Sequence, residues 1–299
     1  MGVRQMLARG RRENRTAWLL LGPIVLYLII FQIIPVLAGF ALGFMNWVGV
    51  FTKPTFAGFN NFVRFFEDPL YITTLWNAFY IGVIAMSVNI IIGLVGALLL
   101  NMPISGKTLI RSIWFAPTVT STVAVAQIFL AFIDPASGVI NRFIMSIGMK
   151  PIAWGYSTFW MVFWIIIYSV WRGIGSCMIL WLAGLQSIDP CLYEAASMEG
   201  ARGSQQFWHI TLPSLRGITA YMLITSFIAA LQIFEAVFFI SRGGPFGTTE
   251  VIVYRIFRDF YGDFNFGMAG SGSIIITLII IVFSLFTARW YTMKEGTNA

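Results

Sequence analysis

The sequence predicts an all-α membrane protein with six transmembrane helices. Of its 299 residues, 58% are hydrophobic and only 10% are charged, whereas soluble domains carry about 25% charged residues. The charged residues are unevenly spaced and leave six long apolar stretches. Each stretch holds the roughly 20 residues that a helix needs to cross the hydrocarbon core of a bilayer. A soluble fold of this length could not bury so much apolar surface, so lipid is the expected solvent.

The gaps between charged residues place each helix in turn. Four gaps contain no charged residue, and two others contain a single one each, Arg172 and Glu235. The first apolar run is too long for a signal peptide and lacks a small-residue cleavage site, so we expect it to be retained as a helix. In chain order, the predicted transmembrane helices are residues 18–44, 76–100, 110–132, 158–183, 218–240 and 271–290.

The positions of Lys and Arg predict that both termini are cytoplasmic. In that orientation the inside segments carry 11 of these residues and the outside segments 7, in agreement with the positive-inside rule. The net charge of +7 is then mainly a cytoplasmic charge that attracts anionic lipid, and it does not indicate nucleic-acid binding. The two cysteines, Cys177 and Cys191, fall near or inside the cytoplasm and lack metal-ligand spacing, so we expect plain thiols.

These observations divide the chain into four regions. A basic cytoplasmic tail, 1–17, precedes the first transmembrane helix and its outer loop, 18–70. A membrane domain, 71–290, contains a cytoplasmic loop at 184–217. A short cytoplasmic tail, 291–299, follows.

The cytoplasmic loop 184–217 has the sequence of two short helices. Asp189 can cap the first helix, and Pro190 suits its first position. We expect Gly203 to end this helix, Ser204 to cap the second helix, and Pro213 to end the second helix.

The face of the first short helix favours contact with another protein. Ala196 and Gly200 are four residues apart and share a face, where small side chains let another backbone approach. An amphipathic helix of this kind suits a groove on a partner. The alternative is that the loop packs only against the ends of its own transmembrane helices.

The loop resembles the EAA loop of ABC importer permeases. The matching pattern is Glu-Ala-Ala, three residues, Gly, nine residues, then Ile-x-Leu-Pro. The residues that match are Glu194, Ala195, Ala196, Gly200, Ile210, Leu212 and Pro213. In that family, this loop couples the permease to the cytoplasmic ATPase, because its short helix docks in a cleft of the ATPase subunit.

Further segments are similar to the carbohydrate-uptake branch of this family, and the resemblance covers roughly residues 18–290. Arg242 departs from the pattern, since the family tends to a small or hydroxyl residue before the sequence Gly-Gly-Pro. The similar segments are residues 22–36, 56–69, 111–141, 182–201 and 243–250.

The resemblance implies the architecture of a type I ABC importer permease, with 71–290 as its transmembrane domain, in a bacterial or archaeal inner membrane. It implies a path for a sugar or oligosaccharide, formed with a second permease subunit that is related but different. The further partners implied are an extracytoplasmic solute-binding protein and a cytoplasmic ABC ATPase dimer, which would bind ATP and Mg.

The chain itself is not expected to be an enzyme or to bind a cofactor. It has no phosphate-binding sequence of the type G-x-x-x-x-G-K-[ST]. Its one histidine, His209, lies in the cytoplasmic loop and cannot build a multi-histidine metal site. No Ser/His/Asp arrangement is plausible within the membrane. We therefore expect no catalytic residues and no metal site.

Polar residues within the predicted helices are candidates for a substrate path, because polar groups in membrane spans usually face an interior. Gln232 and Glu235 are three residues apart on one predicted helix, so we expect them to share a face. Arg172 and Glu235 differ in depth by about 8 residues, roughly 12 Å at 1.5 Å per residue. We therefore prefer the hypothesis that Glu235 accepts hydrogen bonds from sugar hydroxyls, with a structural ion pair as the alternative. The other candidates are Asn77, Asn89 and Gln127.

Three classes of function remain open at this point. The first is an ABC permease for a sugar, and the second is an ABC permease for another solute such as a polyamine or phosphate. The third is an unrelated channel or membrane enzyme. The coupling-loop pattern argues against the third class, because neither a channel nor an enzyme needs such a docking helix pair.

Overall fold

The computed structural model describes residues 18 and 20–296, so the predicted basic tail 1–17 lies outside the described residues. Helices dominate the described chain. In order, they are α1 (Leu20–Leu42), α2 (Asn60–Glu67), α3 (Pro69–Asn101), α4 (Lys107–Val119), α5 (Thr122–Ile133), α6 (Val139–Ser146), α7 (Thr158–Gln186), α8 (Pro190–Met198), α9 (Gly203–Ser214), α10 (Arg216–Leu231), α11 (Ile252–Tyr261) and α12 (Phe266–Gly296).

Shorter elements connect these helices. A π-helical turn, Val237–Ser241, lies between α10 and α11, and a 3₁₀ turn, Trp154–Tyr156, precedes α7. Two short strands after α1, Met45–Asn46 and Thr55–Phe56, pair antiparallel, with Met45 opposite Phe56. They close the loop between α1 and α2.

Four helices, α1, α3, α7 and α12, are long and apolar enough to cross a membrane. Two bent pairs, α4 with α5 and α9 with α10, bring the number of candidate spans to as many as six. The predicted class, an all-α membrane protein, is confirmed. Helix α12 runs to Gly296, so the last transmembrane helix extends through most of the segment that was expected to be a separate tail, 291–299.

The third predicted helix, 110–132, is not one helix. Helices α4 and α5 meet at an angle of 96°, because Thr120 and Ser121 adopt extended backbone conformations with ψ of 144° and 125°. The hydroxyl of Thr120 donates to the carbonyl of Ala116 at 2.8 Å and so satisfies a carbonyl near the end of α4. The prediction of one helix relied on the absence of charged residues after Arg111 and passed over Pro117 and the hydroxyl cluster at 118–122, where the break lies.

The fifth predicted helix, 218–240, is also broken. Helix α10 ends at Leu231, Gln232 forms its cap, and helical structure restarts at Glu235. The prediction that Gln232 and Glu235 share the face of a continuous helix is therefore wrong. Residues 232–236 line a cavity, and non-helical backbone at membrane depth is tolerated where it lines a cavity.

The bundle is built around close contacts at small residues. A Cβ added to Gly82 of α3 would lie 2.4 Å from the carbonyl oxygen of Ala230, and one added to Gly175 of α7 would lie 2.2 Å from that of Trp114. Only glycine permits these approaches of helix to backbone, as is common between membrane helices. The most apolar window of helix α1 has no buried residues, and its contact with the bundle is at its C-terminal part, where a Cβ added to Gly270 of α12 would lie 2.8 Å from the carbonyl oxygen of Gly39.

The end of the bundle opposite α8 is held by buried polar contacts. The hydroxyl of Tyr71 donates to Asp259 of α11 at 2.9 Å, and Asp259 is fully buried. The amide of Asn77 donates to the carbonyls of Thr248 and Glu250 at 3.0 and 2.8 Å. Asn77 thus anchors the 243–250 loop.

Candidate functional site

The first site is the helix pair α8–α9, whose N-terminal cap is the one predicted. A carboxylate oxygen of Asp189 accepts from the backbone N–H of Cys191 at 2.9 Å, and Pro190 is the first residue of α8. The side chain satisfies one of the amides that have no partner within the helix.

Helix α8 ends at Met198, and Gly200 terminates it rather than the predicted Gly203. Gly200 has φ of +82°, a left-handed conformation that glycine adopts without steric cost. The N–H of Ala201 bonds to the carbonyl of Ala196 at 2.9 Å, and the N–H of Gly200 bonds to that of Ser197 at 3.1 Å. This is a Schellman motif. Gly200 therefore lies past the helix end and does not share a helical face with Ala196.

The second helix also differs from its prediction. Helix α9 begins at Gly203, where the backbone N–H of Arg202 donates to Gln205 Oε1 at 2.7 Å. It continues through a π-helical turn, Phe207–Thr211, and past Pro213. Pro213 was expected to end the helix, but proline can also kink one, and the chain bends by 64° between α9 and α10.

Two hydrogen bonds tie α8 to α9. The hydroxyls of Tyr193 and Thr211 lie 2.9 Å apart, and the amide of Gln206 donates to the hydroxyl of Ser197 at 2.9 Å. Ile210 packs against the buried core beneath the loop. The helix pair is therefore a single unit that is partly packed against its own membrane helices.

The other side of this unit is exposed. Glu194 and Ala195 are exposed, while Ala196, Leu212 and Pro213 are half-buried. Three large apolar side chains also face outward and are 49%, 90% and 63% exposed: Leu192, Met198 and Trp208. Large exposed apolar side chains beside polar ones are a feature of protein-binding surfaces.

The second site is a cavity of about 420 Å³ between α3, α7 and α10. Four of the predicted path residues line it: Asn89, Arg172, Gln232 and Glu235. Gln127 does not line this cavity, since its side chain lies on an exposed face of α5. Asn89 donates to the carbonyl of Ser169 at 3.4 Å, while its buried Oδ1 has no hydrogen-bond partner.

Arg172 and Glu235 form an ion pair, contrary to the depth estimate. Arg172 Nη1 lies 3.1 Å from Glu235 Oε2. The estimate assumed a continuous fifth helix, and the break at 232–234 changes the position of Glu235. The side chains are 22% and 51% exposed, so the pair also faces the cavity.

Sequence reasoning missed the hydroxyl groups that surround this pair. Tyr168 OH lies 3.4 Å from Arg172 Nη1, and Ser176 lies one further turn along α7. The spacing 168, 172 and 176 places three polar residues on one helical face, and this signal could have identified them. The remaining hydroxyl-bearing residues of the lining are Thr118, Ser169, Thr225 and Ser226.

Known proteins resemble the chain along most of its length. Residues 89–295 match the family model described as the binding-protein-dependent transport system inner membrane component. The chain is 31% identical to the lactose transport system permease protein LacF of Rhizobium radiobacter, over 95% of this chain and 96% of that protein. It is 28% identical to the trehalose/maltose transport system permease protein MalF of Thermococcus litoralis, over 92% of each.

The fold is also similar to a solved structure. The match has a TM-score of 0.84 and 23% sequence identity, and it covers 96% of this chain and 99% of the other. That structure is a bacterial ABC transporter involved in the import of the acidic polysaccharide alginate. The predicted ABC importer permease fold is therefore confirmed. The family match over more than half of the chain, together with a near-full-length relative above 30% identity, shows that this multi-pass membrane protein belongs to the family of inner membrane components of binding-protein-dependent transport systems.

Proposed function

We propose that the chain is the permease subunit of an ABC importer that carries a sugar or oligosaccharide across a bacterial or archaeal inner membrane. It pairs with a second, related permease chain and receives the solute from an extracytoplasmic binding protein. The relatives named as permeases for lactose and for trehalose or maltose support this class of solute.

The observation that carries the proposal is the charge balance of the cavity. Its lining contains one cation and one anion, Arg172 and Glu235, and these two neutralise each other at 3.1 Å. The rest of its polar lining consists of hydroxyl and amide groups. Such groups both donate and accept hydrogen bonds, as the hydroxyls of a neutral sugar require.

The same balance opposes the two charged solutes considered as alternatives. A polyamine would favour a lining with an excess of carboxylates, and phosphate would favour unpaired Arg or Lys. Glu235 and Arg172 are both engaged with each other, so neither excess exists among the lining residues.

The energy source in this proposal is a separate ATPase dimer, which binds ATP and Mg and docks on the helix pair α8–α9. The exposed Glu194 and Ala195, with the apolar Leu192, Met198 and Trp208 around them, supply the docking surface. This assignment places α8 and α9 on the cytoplasmic side. In this assignment Gly200 provides the backbone turn that ends α8 and does not itself contact the ATPase.

The test is uptake by the complete complex in proteoliposomes supplied with ATP. Labelled lactose, trehalose, spermidine and phosphate are compared, each with the binding protein present. We expect accumulation of a sugar and not of spermidine or phosphate. Accumulation of either charged solute in place of the sugars would contradict the proposal.

A matched pair of variants connects uptake to the cavity. Gln232→Leu removes a polar group from the lining, whereas Gln127→Leu makes the same change on an exposed face outside it. We expect the first variant to reduce sugar uptake by about tenfold, as for loss of one or two hydrogen bonds, and the second to leave uptake unchanged. Equal uptake by both variants would show that the cavity is not part of the transport path.

A further inference from the structure

Arg172 contacts both breaks in the helices around the cavity. Its backbone carbonyl accepts from Thr118 at 3.1 Å, just before the bend between α4 and α5. Its guanidinium donates to the hydroxyl of Thr122, just after that bend. The same Nη1 atom donates to Glu235, the first helical residue after the break at 232–234. One side chain on an unbroken helix thus holds the starts of two separate helical segments.

The exposed carboxylate of Glu235 distinguishes its pair with Arg172 from two ion pairs at the end of the bundle opposite α8, Arg255–Asp259 and Arg258–Glu250. There, the side chains of Asp259 and Glu250 are 0% and 3% exposed, and breaking such pairs leaves an uncompensated buried charge. Glu235 is 51% exposed in a cavity that a polar solute can enter. An exposed pair contributes little net stability, so it can open and close repeatedly.

The chemistry of the pair matches that of a polyol. A sugar hydroxyl can donate to the carboxylate of Glu235 and accept from the guanidinium of Arg172. It can therefore replace each partner without leaving a charged group unsatisfied. The opening of the pair would release the segments that begin at Thr122 and Glu235 from α7.

We propose that Arg172 is a positioning residue that holds the two helix breaks against the cavity, and that its pair with Glu235 opens when the solute passes. This inference rests on the proposed transport function. It assigns to Arg172 a role in closing the cavity that differs from simple contact with the solute.

The chain contains its own reporter for this opening. Cys177 lines the cavity and is 9% exposed, and the only other cysteine, Cys191, is exposed on α8. In a Cys191→Ser background, the complete complex in detergent is treated with N-ethylmaleimide. The modification rate of Cys177 on this subunit is read by mass spectrometry. The measurement needs neither solute nor ATP.

We expect Arg172→Met and Glu235→Gln each to accelerate modification of Cys177 about threefold to fivefold, as for loss of one exposed ion pair. The reversed pair, Arg172→Glu with Glu235→Arg, is expected to return the rate to within about twofold of the starting rate, because the interaction is restored. Arg142→Met removes an exposed arginine outside the lining and should leave the rate unchanged.

Unchanged rates in both single variants would overturn the proposal, as would failure of the reversed pair to slow the reaction. If Arg172→Met does not assemble, the labelling rate of Glu235→Gln is the deciding measurement. This variant should assemble, because a carboxamide has the size of the exposed carboxylate that it replaces. The labelling result does not depend on which solute is transported, because the solute is identified separately, by uptake with the unaltered chain. Faster labelling with no sugar uptake by that chain would reject the proposed function and not the closing role.

Discussion

At the residue scale, the coupling-loop pattern includes a residue, Gly200, whose role depends on its backbone conformation. Gly200 belongs to the Glu-Ala-Ala pattern, yet its structural role is the left-handed turn that ends α8. A Cβ at this position would meet nothing within 4 Å, so its requirement is conformational and not steric. Glu194 and Ala195 on the preceding turns supply the exposed groups.

The first prediction compares two glycines of this loop. Both Gly200 and Gly203 have open space around a Cβ, but only Gly200 has positive φ. We expect Gly200→Ala to destabilise the end of α8 by about 1 kcal/mol and Gly203→Ala to be neutral or slightly stabilising. Hydrogen exchange of the amides of Gly200 and Ala201 measures the difference. Equal protection in both variants would show that the turn carries no strain.

A second prediction concerns the buried carboxylate of Asp259. Tyr71→Phe removes a hydrogen bond of 2.9 Å to a fully buried acceptor. We expect it to lower the free energy of unfolding by about 1–3 kcal/mol, measured as loss of thermal stability in detergent. Tyr261→Phe makes the same chemical change at a residue that is 63% exposed and serves as the control. A larger effect at Tyr261 would contradict this assignment.

At the scale of the elements, α3 and α7 form the continuous frame, and the segments that pack against it are broken. Both breaks occur where Arg172 of α7 supplies a polar partner, to Thr122 after one break and to Glu235 after the other. Glycines at 82 and 175 bring the frame into backbone contact with α10 and α4. The cavity geometry therefore depends on the fit between an unbroken helix and two interrupted ones.

The third prediction tests this fit. In Gly175→Ala the new methyl group would lie 2.2 Å from the carbonyl oxygen of Trp114, so α4 must move. We expect a loss of about 1–3 kcal/mol, as for overpacking of a core. Gly39→Ala in α1 has nothing within 4 Å and should not destabilise the chain. Thermal unfolding of the two variants in the same detergent distinguishes a packing effect from a general effect of alanine.

At the scale of the whole molecule, the arrangement is a bundle with two different ends. One end carries α8 and α9, which present an exposed, partly apolar surface. The opposite end carries α2 and α11, and buried hydrogen bonds hold both: Asn61 of α2 donates to the carbonyl of Gly43 after α1, and Tyr71 of α3 donates to Asp259 of α11. Such a division agrees with the proposed function, in which an ATPase docks at one end and a binding protein delivers the solute at the other.

The fourth prediction tests the orientation of the protein in the membrane with a native cysteine. Cys191 is exposed on α8, and Cys177 is buried. With α8 cytoplasmic, a membrane-impermeant thiol reagent should label Cys191 in inverted vesicles and not in intact cells. A Phe246→Cys variant, at a position that is 99% exposed in the loop before α11, should show the opposite pattern. Labelling of Cys191 from outside the cell would reject this orientation.

The sequence by itself determined the class of the protein, the approximate positions of the membrane segments and the location of the α8–α9 loop. These features follow from composition and local pattern, because partitioning into lipid depends on the summed hydrophobicity of a stretch and capping depends on neighbouring residues. Asp189 and Pro190 are examples, since their roles at the start of α8 involve no distant contact.

Only the tertiary structure decided where the membrane helices break and which polar groups meet. Counting residues at 1.5 Å per residue places Arg172 and Glu235 at different depths only while each helix is continuous. The breaks at 120–121 and 232–234 are flanked by residues that bond to Arg172 of α7, which lies far away from them in sequence. Polar residues do mark both breaks, at 118–122 and at Gln232 and Glu235, but they do not determine the backbone geometry, because the partners of these residues come from another helix.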